Sequence, residues 1–183
     1  IPFNSEGNAY LYRHGEWFQQ TLVPITNTSL SAKEQIYRHG GVYMLIGGAG
    51  GIGEVWSRWM IEHYQAHIIW IGRREKNTEI QAKIDSFANN SLLPEYIQAD
   101  ATNLDSLQKA YNKIKLKHPH INGVIHAAIV LSDATIATMT EEEFKNSLAA
   151  KVDTSVRLAQ VCEKEALDFV LFFSSMQSFM KAP

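Results

Sequence analysis

"VYMLIGGAGGIGEVW", residues 42–56, decides the fold. Val42 to Ile46 is a continuous apolar run of the length that a strand buried on both faces needs. "GGAGGIG", Gly47 to Gly53, follows it with five glycines among seven residues, and an amphipathic stretch begins directly behind. A tight turn accounts for one or two glycines but not for five. At a helix N-terminus, unbonded N–H groups and the helix dipole both favour an anionic phosphate. Side chains would block that approach, so glycine is required where backbone and phosphate meet. Gly47, Gly48, Ala49, Gly50, Gly51, Ile52 and Gly53 are therefore candidate phosphate-binding residues. In the following helix Ile52, Val55, Trp56, Trp59 and Met60 share one face, which is expected to be core.

Outward from this loop, strand and helix patterns alternate. Strands are expected at 67–72 ("HIIWIG"), 95–99, 121–128 and 168–174, with helices near 75–89 and 103–117 and one long helix over 141–166. Thr140 and Glu143 have the spacing of a capping box at the start of that long helix. Short connections between alternating elements argue for a parallel sheet covered on both faces. Right-handed crossovers make it a doubly wound, Rossmann-like α/β sheet. Five strands are counted, where a complete dinucleotide fold usually has at least six, so the sheet reads as truncated after the fifth. Upstream, Ala9 to Val23 reads as a short β segment, two strands turned at His14-Gly15. "PITNTSLSAKEQIYRHGG" (24–41) reads as a polar linker. The boundary is set at residue 40, giving units 1–40 and 41–183.

Composition excludes several functions. A chain of 183 residues with a net charge of −2 offers no basic field for nucleic acid. Cys162, the lone cysteine, is expected to be core packing, and no metal-ligand spacing occurs. With no secretory signal and no apolar run near the ~20 residues of a membrane span, the expectation is a cytoplasmic protein. Residue 1 is Ile rather than Met, which reads as an excised or processed piece.

The remaining candidates cluster at strand ends, where open α/β sheets bind ligands. Arg73 and Arg74 lie about 20 residues past the glycines, the spacing at which such a fold meets the adenosine ribose. An acid there would bind the 2′-hydroxyl of NAD, whereas guanidinium groups suit a 2′-phosphate, so NADPH is favoured. Asp100, followed by Ala101, is read either as an acceptor for the adenine amino group or as a cap for the next helix. His126, Ala127 and Ala128 end a strand beside the crevice, and the two alanines leave space for a flat cofactor. At 100° per residue, Lys151 lies about 20° from Phe144 and about 60° from Leu148, on a face that should be apolar. It either snorkels or points into the crevice. Ser175 follows the fifth strand without a G-x-S-x-G elbow or an obvious histidine base, which disfavours a nucleophilic hydrolase. A hydroxyl that hydrogen-bonds a substrate carbonyl suits the position better.

Taken together, "GGVYMLIGGAGGIG", "IGRR", "ADATN", "HAAIVLSDATI", "LAAKVDTSVRLA" and "LFFSSMQSF" resemble a short-chain dehydrogenase/reductase, and within that group the ketoreductase domain of a modular polyketide synthase. "YLYRHGEWFQQTLVPI" resembles the final strands of the structural subdomain that precedes the catalytic one in such domains. The resemblance implies NADPH-dependent reduction of a β-ketoacyl thioester to a β-hydroxyacyl thioester on the phosphopantetheine of an acyl carrier protein, among neighbouring synthase domains. It matches Ser175 to the family's catalytic serine and Lys151 to the lysine that polyketide ketoreductases carry on this helix. Asp133 matches the second Asp of an "LDD" stereocontrol signature, with Ser132 in place of the first. Ile46 and Ile129 depart from the family's Thr and Gly. The family's proton-donating tyrosine would fall near position 188, beyond the last residue at 183, so the piece as given is expected to lack activity. The other readings are a non-reducing structural domain that binds nucleotide, and a stand-alone short-chain reductase.

Overall fold

A computed structural model of the chain describes residues 10–21, 23–24, 36–131, 134–135 and 137–176. They belong to two compact units, Gln35–Phe173 and a smaller one of Ile1–Glu34 with Ser174–Pro183. In the smaller unit, β1 (Tyr10–Arg13) and β2 (Glu16–Gln19) form the expected antiparallel hairpin. His14 and Gly15 both have positive φ (53° and 85°), the sign that a type I′ hairpin turn requires.

The larger unit is an alternating α/β array. Its elements are β3 (Val42–Ile46), α1 (Gly51–Tyr64), β4 (His67–Gly72), α2 (Thr78–Asp85), β5 (Glu95–Gln98), α3 (Leu104–Lys117), β6 (Gly123–His126), α4 (Glu141–Ala149), α5 (Val152–Val161) and β7 (Phe169–Phe172). The five strands pair in parallel in the order β5-β4-β3-β6-β7. The chain winds one way from β3 to β5, then crosses to the other side at β6. The C-terminal ends of β3 and β6 therefore flank the topological switch point, where such sheets hold their ligands.

The sheet's alternation divides the core into two layers. Val42, Met44, Ile46, Ile69, Ile71 and Val124 face α3 and α5, packing on Leu107, Ile114, Leu158 and Val161. Tyr43, Leu45, Ile68, Trp70 and Ile125 face the opposite way, onto Met60, Ile61, Ile80, Ile84 and Phe87. Cys162 is buried in the first layer, as expected of a packing residue.

Three expectations are corrected. First, the long helix over 141–166 is two helices, α4 and α5, broken at Ala150–Lys151. The capping box of Thr140 and Glu143 does start α4. At the break Lys151 N donates to Leu148 O, a tighter i→i−3 bond, and the Ala150 carbonyl accepts from His126 Nε2 at 2.9 Å. A face drawn at 100° per residue through Lys151 thus loses its basis, and Phe144 and Leu148 are exposed.

Second, α1 buries only part of the expected face. Met60 is core and Trp56 is half-buried against it, but Ile52, Val55 and Trp59 are exposed, and the other buried residues are Gly53, Ser57 and Ile61. The helix approaches the sheet through its smallest side chains. A Cβ on Gly53 would lie 2.5 Å from the Gly48 carbonyl oxygen, and Ser57 Oγ accepts from the buried Trp70 Nε1 at 2.8 Å.

Third, the last residues of the expected linker are docked on the larger unit. Tyr37 meets Tyr43, Trp56, Trp59, Tyr64 and Phe169 at ring distances of 5.5–6.5 Å, and Arg38 pairs with Asp168.

Candidate functional site

A crevice of about 460 Å³ opens at the C-terminal ends of β3, β4, β5 and β6, against α4 and α5. Of the expected residues, Gly47, Ala49, Gly50, Arg73, Arg74, Asp100, Ala101, Ala127 and Ala128 line it. Ile46, Ile129, Asn146 and Thr154 line it as well.

The glycines divide by what a side chain would meet. Gly47 has φ +81° and a Cβ there would lie 2.7 Å from the Ala128 backbone. On Gly48 it would lie 2.1 Å from the Trp70 ring. Packing thus requires Gly47, Gly48 and Gly53 whatever the loop binds. Gly51 is different, because a Cβ there meets nothing within 4 Å. It is the first residue of α1, whose N-cap Gly50 provides no side-chain hydrogen bond. By contrast, Asn77, Asn103 and Thr140 cap α2, α3 and α4 with their side chains. An uncapped helix N-terminus beside open space fits the pyrophosphate of a dinucleotide.

Arg73 and Arg74 leave the end of β4 with their backbone held from β5. Tyr96 donates its hydroxyl to Arg74 O at 2.6 Å, and Gln98 Nε2 donates to Arg73 O at 3.2 Å. A Cβ on Gly72 would meet that tyrosine hydroxyl at 2.6 Å, so the turn and its brace require each other. Arg74 pairs with Glu79 at 3.1 Å. Lys83, on α2, donates to the Ala49 carbonyl of the glycine loop at 2.8 Å. Tyr96, Gln98, Glu79 and Lys83 were not singled out in the sequence. Only the 79–83 spacing, that of a helical i,i+4 pair, signals any of them.

Asp100 is not the cap of α3, because Asn103 accepts from Ser106 N in that role. Asp100 Oδ1 instead accepts from Thr102 N and Thr102 Oγ1 at 2.9 and 2.8 Å, which closes the turn at the crevice floor. His126 lies beneath the lining, 1% exposed. Its Nε2–H donates to Ala150 O, and its buried Nδ1 accepts no hydrogen bond among the described residues. Burial, and secondarily the charge of Lys151, hold its pKa below the ordinary histidine value, so the ring is neutral at pH 7.

Lys151 does not line the crevice. It sits half-buried at the α4–α5 break, and its Nζ donates to Phe173 O, just past β7, at 3.1 Å. Burial lowers its pKa from the usual lysine value. Ser175 comes three residues after the end of β7 and belongs to the smaller unit. Asp133 lies outside the described residues. Among those residues no group of three or more His, Cys, Asp or Glu side chains could hold a metal, and no helix is long and apolar enough to cross a membrane.

The family model of the KR domain matches residues 41–183. The chain belongs to the KR domain family. KR domains are ketoreductases and bind a nicotinamide dinucleotide, NAD(P)H, which agrees with an α/β crevice floored by glycines. Among its relatives is polyketide synthase PksN of Bacillus subtilis, 54% identical over 182 residues, or all of this chain and 3% of that protein. PksM of the same bacterium is 50% identical over 99% of the chain and 4% of its own length. The chain thus spans only a few hundredths of the curated relatives it matches. An N-terminal ketoreductase from a macrolactin assembly line superposes with a TM-score of 0.76 at 26% identity, over 89% of this chain and 32% of that one. A ketoreductase domain from the bacillaene assembly line gives a TM-score of 0.79 at 23% identity, over 94% and 41%, a likeness of fold.

Proposed function

We propose that this KR domain reduces a β-ketoacyl thioester, carried on an acyl carrier protein of a polyketide synthase, to the β-hydroxyacyl thioester, with NADPH rather than NADH. The observation that carries this reading is the crevice itself, lined by Gly47, Ala49 and the uncapped helix end at Gly50 and by two arginines at the ribose edge. The amides of Gly50 to Gly53 would hold the pyrophosphate, and Arg73 and Arg74 the 2′-phosphate. Asp100, its Oδ1 already fixed by Thr102, has Oδ2 left to accept from the adenine amino group. Ala127 and Ala128 leave room for a flat ring above β6. Bound NADPH would supply the hydride that reduces the ketone carbon.

The developing alkoxide needs donors aimed at it. Ser175 is assigned that role as a hydrogen-bond donor to the ketone oxygen. Lys151, already depressed in pKa, would favour deprotonation of the family's tyrosine and so ease proton delivery. Asp133 is assigned to substrate orientation.

The test is a reductase assay on the full-length parent protein with a β-ketoacyl thioester. Lys151→Met is expected to lower kcat by about a hundredfold, the order of one acid–base contribution, and to leave NADPH affinity within about twofold. Lys151→Arg should recover part of the rate. An unchanged kcat in Lys151→Met would refute the assignment, and absence of any ketone reduction by the parent would refute the function.

A further inference from the structure

Arg74, Glu79 and Lys83 form a chain of charges that ends on the glycine loop. Glu79 Oε2 lies 3.1 Å from Arg74 Nη1, and Glu79 Oε1 lies 3.3 Å from Lys83 Nζ. A Glu–Lys pair at i,i+4 is ordinary on a helix surface. This lysine does more, because the same Nζ reaches back 34 residues to the Ala49 carbonyl at 2.8 Å. One carboxylate therefore bridges two cations, of which one stands at the ribose edge of the crevice and the other touches the phosphate loop.

We propose that Glu79 is the displaceable counter-ion of a 2′-phosphate site in which Lys83 joins Arg73 and Arg74, Glu79 bridging Arg74 and Lys83 while the site is empty. The inference rests on the reading of the crevice as a nicotinamide dinucleotide site, and it adds Lys83 and Glu79 to that site as specificity-determining residues. The chemistry favours the exchange. A ribose 2′-phosphate carries close to two negative charges and three acceptor oxygens, and bridges two cations better than a carboxylate does. Glu79 is 53% exposed, so its side chain can swing into water, and its pairings are of the weak surface kind. Lys83 is only 29% exposed and is anchored on the loop, so it stays. A nucleotide that lacks the 2′-phosphate gives Glu79 no reason to leave and draws nothing from Lys83. The pair thus separates 2′-phosphorylated nucleotides from plain ones, beyond what Arg74 does alone.

The experiment compares adenosine 2′,5′-bisphosphate with adenosine 5′-monophosphate, which differ only in the 2′-phosphate, by calorimetric titration of the full chain. Lys83→Met is expected to weaken the bisphosphate about tenfold, the size of one lost charge-assisted contact, and to leave the monophosphate unchanged. Glu79→Gln is expected to strengthen the bisphosphate severalfold, again without effect on the monophosphate. Neither position is among the buried residues of α2, Ile80 and Ile84, and thermal melts confirm that the variants fold. The proposal is overturned if Lys83→Met weakens both ligands alike, which makes Lys83 a support of the loop only. It is equally overturned if Glu79→Gln weakens the bisphosphate, which makes Glu79 an orienter of Arg74, or if neither variant changes anything. If the unaltered chain binds neither ligand, the reading of the crevice fails with it. Binding of both ligands with silent variants removes this proposal alone.

Discussion

Gly48→Ala is expected to lower the melting temperature by several degrees, up to about 12 °C, whereas Gly51→Ala leaves it within a degree or two and abolishes most nucleotide binding. The two glycines are three residues apart, but they answer to different constraints. A Cβ on Gly48 would lie 2.1 Å from Trp70 Cδ1 and 2.5 Å from Cγ. That ring is fully buried and held by Ser57, so it cannot yield. Overpacking of this kind costs about 1–3 kcal/mol and sometimes more, and each kcal/mol moves the midpoint by about 2–4 °C in a domain of this size. At Gly51 the added methyl meets no protein atom within 4 Å, and alanine is the better helix residue. In the proposed complex the methyl would meet the pyrophosphate. Affinity for NADPH should fall at least about tenfold, read by titration beside a thermal melt. Loss of stability in Gly51→Ala, or undiminished binding by it, would contradict the division between packing glycines and ligand glycines.

Glu165→Ala should cost about 3–5 kcal/mol at neutral pH, the expense of breaking a buried ion pair on one side. The Glu165 side chain is 6% exposed and pairs with Lys115 at 2.5 Å. It also accepts from the Tyr111 hydroxyl and from Ile121 N. One carboxylate thereby ties α3 to the turn after α5 and to the entry of β6. Burial pushes its pKa upward, but Lys115, Tyr111 and the Ile121 amide outweigh burial and hold it below the ordinary value. A depressed carboxylate stabilises the fold above its unfolded pKa, near 4.3, and that contribution fades as pH falls through the folded pKa. Urea unfolding of the native chain and of Glu165→Gln should therefore differ most at pH 6–7, and the difference should shrink steadily as pH falls below the ordinary glutamate range. Curves that stay equally far apart at every pH would show that packing, not charge, holds this corner.

The strands, their parallel pairing and the glycine loop between β3 and α1 were legible because each follows from a local pattern. Val42–Ile46 is apolar throughout, the glycines cluster behind it, and Arg73 and Arg74 occur at the ribose spacing. Features set by distant partners were not legible. The break between α4 and α5 depends on His126, 24 residues before the Ala150 carbonyl it binds. The acidic and hydroxylic run Asp153-Thr154-Ser155 at the start of α5 was its only local sign. The buried face of α1 was legible only in part. Met60 is core and Trp56 packs on it, but close approach over Trp70 adds Gly53 and Ser57, which no apolar pattern marks. Asp100 was read as a possible cap one turn too early, since Asn103 and Asp100 both have side chains suited to it. Lys83, Tyr96 and Gln98 act on backbone atoms 22 to 34 residues away, which no window along the chain connects.

The most direct test of the account is titration of the full chain with NADPH and NADH under identical salt, repeated with Arg73→Ala/Arg74→Ala. The account predicts one NADPH bound per chain, at least about tenfold tighter than NADH, with that preference cut at least severalfold in the double variant while NADH affinity holds. Equal affinity for the two nucleotides, or a preference for NADPH undiminished without the arginines, would contradict it.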